Sequence, residues 1–149
     1  MKFKTLWALA CLVGSSAMAQ NITEAWARAT VPGQKATGAF MKITAQDASR
    51  LVAVSSPMAG VSEIHEMKME RQIMKMAALP NGLNLPAGTT VELKPGAYHV
   101  MLMDLKAPLA AGSTLDLALT FQDSQGRKTV QQLKVPVRTQ GMSEAHSHH

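Results

Sequence analysis

Two histidines each lead a short run of methionines. His65 opens His-Glu-Met-Lys-Met, His99 opens His-Val-Met-Leu-Met, and a third run, Ile-Met-Lys-Met, carries Met74 and Met76. In an extended strand, side chains at i and i+2 share a face. His65, Met67 and Met69 therefore point one way, as do Met74 with Met76, and His99 with Met101 and Met103. Thioether sulfur is soft and neutral, and selects Cu(I) over hard ions such as Mg²⁺ or Ca²⁺. Imidazole suits copper and zinc alike, but thioethers disfavour zinc, which takes Cys, His and carboxylate. Methionine forms no disulfide, so it stays a usable ligand in an oxidising compartment. A site of neutral ligands leaves the ion's charge uncompensated, which favours reversible binding and hand-over. Packing is the alternative, because Met fills irregular cores without any metal. A lone His on a strand is also commonly a hydrogen-bonded structural residue. Spacing alone leaves both readings open.

These runs need elements to position them. Short apolar stretches span 22–30, 38–44, 51–55, 62–69, 72–77, 90–93, 99–105, 114–122 and 129–137. Breakers separate them: Pro32-Gly33, Pro57 with Gly60, Pro80-Asn81-Gly82, Pro86 with Gly88, Pro95-Gly96, Gly112 and 123–126. Strand-length stretches with turn residues at this spacing predict an all-β sandwich or barrel. Leu115, Leu117, Leu119 and Phe121 alternate with polar or small residues, as on a half-buried strand. No amphipathic helix of useful length is visible.

The first 19 of the 149 residues read as an export signal. Lys2 and Lys4 precede the apolar run 6–13, and Ala17-Met18-Ala19 forms a small-x-small cleavage site. The expected mature chain begins at Gln20 and is periplasmic. The apolar run is too short to span a bilayer. A lipoprotein reading would use Cys11, but would leave too short an apolar region before it. Cleavage after Ala19 removes Cys11, the only cysteine. That excludes a disulfide scaffold, a thiolate zinc site, a Cys nucleophile and a blue-copper centre. The mature chain keeps 13 basic side chains against 10 acidic ones, a net +3, scattered without a patch. With aromatics at 4%, neither a nucleic-acid role nor a polybasic membrane role has support. The expected boundaries are a signal at 1–19, one domain at 20–138, and a polar tail at 139–149.

The chain resembles the periplasmic copper chaperones of the PCu(A)C family. Residues 24–43, EAWARATVPGQKATGAFMKI, resemble the family's opening strands, and LPAGTTVELKPGAYHVMLMDLKAPL at 85–109 is the most specific stretch. The family pattern is a His, ten residues, a Met, twenty-one residues and His-x-Met. Ten residues separate His65 from Met76, and His99-Val100-Met101 matches; 22 residues lie between Met76 and His99, one more than the pattern. The surplus residue is expected in the turn at 80–84, where insertion is cheap. The resemblance implies a cupredoxin-like Greek-key β-sandwich. It also implies a Cu(I) site of His65, Met76, His99 and Met101, without catalytic activity. Delivery for cytochrome c oxidase copper-centre assembly is implied too, to an oxidase subunit or a Sco-type assembly factor, by a chain expected to be a monomer. Met67, Met69, Met74 and Met103 are expected to pack, with Met67 the leading substitute ligand.

The tail residues Met142, His146, His148 and His149 form a second candidate metal set. A flexible imidazole-rich segment suits Cu(II), and a solvated tail is the alternative. Glu66, Glu70 and Asp104 read as surface charges, with Glu66 facing away from His65. The His ligands must be neutral to bind, so affinity is expected to weaken below about pH 6. Copper storage for tolerance and a metal-free interaction module are the competing functions.

Overall fold

The computed structural model describes residues 20–139. The signal segment with Cys11 and its cleavage site, and the tail candidates Met142, His146, His148 and His149, lie outside the described residues. Ten strands follow in chain order: β1 (Asn21–Arg28), β2 (Thr37–Thr44), β3 (Ser49–Ser55), β4 (Ala59–Glu70), β5 (Ile73–Ala78), β6 (Leu83–Leu85), β7 (Thr90–Leu93), β8 (His99–Leu105), β9 (Thr114–Asp123) and β10 (Lys128–Arg138). Nine match the stretches read from the sequence. The addition is β6, three residues long and closely flanked by Pro80 and Pro86, too short to show a period. It lies beside β3, and Gly82 leads into it with φ +80°. A Cβ at Gly82 would strike the Leu51 carbonyl oxygen, so only glycine fits this approach.

Hydrogen bonding runs in the order β5-β4-β8-β2-β1-β10-β9-β3-β6, with β7 on the far end of β2. The joint between the two halves of this path is narrow. β1 pairs with β10 in parallel only through Ala27↔Val137 and Arg28↔Arg138, while the remaining strand pairs are antiparallel. The path folds on itself there, and β3 packs near β4. This is the all-β, cupredoxin-like sandwich expected from the sequence, as a single domain.

Period-2 alternation decides what goes inside. Leu115, Leu117, Leu119 and Phe121 of β9 are buried, as are Ala39, Met41 and Ile43 of β2, and Val100 and Leu102 of β8. Each such aliphatic side chain contributes roughly 1.5–3 kcal/mol on burial. His65 and Met67 of β4 and His99, Met101 and Met103 of β8 are thereby turned to the outer face.

Candidate metal centre

The site is built on the outer face of the sheet by four neighbouring strands. Directly opposite residues of an antiparallel pair share a face. His65 on β4 lies opposite His99 on β8, and Glu63 opposite Met101. On the other side of β4, Met67 lies opposite Met76, and Met69 opposite Met74, both on β5. On β2, Gly38 lies opposite Met101. Residues between these, such as Ile64 and Val100, point into the core. The register therefore gathers His65, Met76, His99 and Met101 on one face although they span 37 positions of chain.

The two imidazole rings stand 5.7 Å apart, nearly edge to face. The Nδ1–H of His99 donates to the Ala97 carbonyl at 3.1 Å. A carbonyl only accepts, so the lone pair of a neutral His99 is on Nε2. The Nε2–H of His65 donates to the Glu63 carboxylate at 2.7 Å, which leaves the lone pair of a neutral His65 on Nδ1. Both lone-pair atoms, His65 Nδ1 and His99 Nε2, are buried and have no hydrogen-bond partner. A buried polar atom left unmatched costs about 1–3 kcal/mol, so each is a ready ligand atom. Burial holds the His99 pKa below the ordinary histidine value. The Ala97 bond opposes that shift, and the neighbouring His65 and Arg28 add to it.

A cavity of about 270 Å³ opens beside His99, and Met67, Met76 and Met101 line it with Phe40 and Arg28. His99 is only 4% exposed. Phe40 approaches it at 6.4 Å between ring centres and is backed by Trp26 at 4.7 Å. The Arg28 guanidinium lies 5.4 Å from the Phe40 ring centre. A Cβ on Gly38 would come within 2.9 Å of Phe40 Cζ, so the glycine makes room for this ring.

Met76, His99 and Met101 thus line one cavity together with Met67, and His65 stands beside it against His99. Among the described residues no cluster of three His, Cys, Asp or Glu could hold a metal, so the soft thioethers set the chemistry of this site. Two expectations are revised. The donor set is not uncompensated, because Glu63 brings a carboxylate to the back of His65. Met69 and Met74 are not packed, being 67% and 45% exposed. The hairpin that carries them extends past β8, so no core lies beneath them. Glu63 sits outside the histidine and methionine runs, yet it lies two residues before His65 and so on the same face; that spacing was the available signal. Glu66, as expected, faces away and reaches Lys68 at 3.6 Å.

Residues 21–137 match the LpqE-like family model, described as "Putative lipoprotein LpqE-like". A relative from Leifsonia xyli subsp. xyli, named "Putative lipoprotein Lxx21020", is 34% identical over 110 residues, which cover 74% of this chain and 66% of that protein. The chain spans just under two thirds of the length of the curated relatives it matches. The copper-bound PCuAC domain from PmoF2 superposes with a TM-score of 0.60 at 20% identity, covering 82% of this chain and 99% of that one. The Cu(I)-loaded protein DR1885 from Deinococcus radiodurans superposes with a TM-score of 0.57 at 28% identity, covering 86% of this chain and 84% of that one.

Proposed function

The chain belongs to the LpqE-like family and carries the PCuAC fold, and from that premise we propose that it is an exported Cu(I) carrier. His65 Nδ1, His99 Nε2, Met76 and Met101 hold the ion, with Met67 beside Met76 as a further thioether. The carrying observation is the pair of unmatched imidazole nitrogens on directly opposed residues, beside a cavity lined by three methionines. Neutral imidazoles and thioethers fit a soft monovalent ion. A solved relative named for its Cu(I) form shares the fold at 28% identity. Among the described residues no helix is long and apolar enough to cross a membrane.

The function is transport of the ion, not its redox turnover, since thioethers favour one oxidation state. The recipient is a copper-accepting protein, of the kind that completes the copper centres of cytochrome c oxidase in the periplasm. Anaerobic Cu(I) titration against a competing chelator tests the site. One tight equivalent is expected, and Met76→Ala with Met101→Ala should remove it. Retention of that equivalent in the folded double variant would refute the ligand set. Delivery predicts that a deletion strain loses oxidase activity at low copper. Storage for copper tolerance predicts normal oxidase activity and copper sensitivity.

A further inference from the structure

The hairpin of β4 and β5 continues beyond the last β8 partner, which is His99 opposite His65. Past that point β4 has no further strand partner on its β8 side. One face is what water demands: Glu66 with Lys68, and Lys75 with Glu70 at 3.1 Å. The other is a ladder of methionines, Met67 opposite Met76 and Met69 opposite Met74. Along β4 exposure falls towards the site, from Met69 to the half-buried Met67, while on β5 Met74 at 45% and Met76 at 48% are about equally exposed. Met69 is 67% exposed and His99 4%. Met67, Met76 and Met101 line the cavity beside His99, whereas Met69 and Met74 do not. Core packing does not account for this outermost pair.

We propose that Met69 and Met74 form a second, weaker Cu(I) site at the hairpin tip, from which the ion passes to and from the histidine centre. The inference rests on the Cu(I) reading of that centre. Opposed Cβ atoms in such a pair lie about 4.5–5.5 Å apart. Three rotatable side-chain bonds let the two sulfurs close on one ion. The next rung lies about 7 Å along the strand, so flexible thioethers of both rungs can share an ion in passage. The step is ligand exchange: bonds from copper to the Met69 and Met74 sulfurs break as bonds to Met67 and Met76 form. Copper stays Cu(I), and no electron or proton moves.

The experiment is an anaerobic Cu(I) titration of the mature chain labelled with ¹³C at the methionine methyls. The first equivalent should shift the Met76 and Met101 methyls, and the second should shift those of Met69 and Met74 together. A variant with Met69→Leu and Met74→Leu keeps the apolar surface and removes the sulfurs. It should retain the first set of shifts and take up the first equivalent more slowly. Still resonances from Met69 and Met74 through two equivalents, with Met76 and Met101 shifted by the first, would overturn the tip site alone. Still resonances from all four would overturn the Cu(I) centre and the tip site with it.

Discussion

An imidazole ligates a metal only through a nitrogen that carries a lone pair, and the partner of the other nitrogen decides which one that is. At His99 the Ala97 carbonyl decides it, and at His65 the Glu63 carboxylate does. Partners of this kind are typically worth 10–100-fold in metal affinity. Glu63→Gln keeps an acceptor but drops the charge, so its Cu(I) affinity should fall by about tenfold, with the tight stoichiometry unchanged in chelator competition. The depressed pKa of His99 makes a pH prediction. Burial keeps its ring neutral where an unfolded histidine, near pKa 6.5, would take up a proton. The unfolded chain then binds more protons, so the stability contributed by the neutral ring is complete above about pH 6.5 and is lost as pH falls towards the depressed value. Urea unfolding of the copper-free protein between pH 7.5 and 5 should show this loss, and His99→Leu should flatten that part of the profile. For copper the same burial delays proton competition at His99 to lower pH than an exposed histidine would show.

At the scale of elements, the hairpin of β4 and β5 depends on an unusual turn. Arg71 and Gln72 both adopt left-handed conformations, φ 50° and 66°. Two such residues make the hairpin turn whose twist suits the flanking strands, and Asn-Gly is the sequence that favours it. Neither Arg nor Gln does, and a left-handed residue with a Cβ costs roughly 1–2 kcal/mol. Gln72→Gly should therefore stabilise the protein by up to about 1 kcal/mol, offset by the entropy glycine adds to the unfolded chain. Chemical denaturation would read this, and Cu(I) stoichiometry should not change. The same absence of Asn-Gly explains why 62–69 and 72–77 read as two strands without a sign that they were one hairpin. Pairing also explains how the surplus residue between Met76 and His99 is accommodated. His65 faces Ala78 on one side and His99 on the other. Those two registers place the strands that carry the proposed ligands whatever the length of chain that connects β5 to β8.

At the scale of the molecule, core and site occupy opposite faces of the same strands. Leu117 of β9 is fully buried in the core and lies outside the cavity beside His99. Leu117→Ala should cost about 2–5 kcal/mol, visible as a lower unfolding midpoint. At temperatures where the variant is folded, the tight Cu(I) equivalent should remain. Loss of that equivalent together with stability would mean that core packing sets the site geometry. Copper should act in the other direction, because an ion that binds only the folded chain stabilises it by about 4 kcal/mol at a thousandfold excess over its Kd.

Residue identity and a period of two were enough to mark nine of the ten strands and the inward face of β9. They also marked the shared face within each histidine and methionine run, because all these properties are local to one strand. β6 escaped because three residues between prolines carry no period. What the tertiary structure alone decided is which strands are neighbours and in what register. Antiparallel pairing of β4 with both β5 and β8 sets His65 across from His99 and Met67 across from Met76. It also pushes Met69 and Met74 past the end of the sheet into water. Those are long-range contacts, and their energy comes from burying the opposite face, which no single run of residues contains.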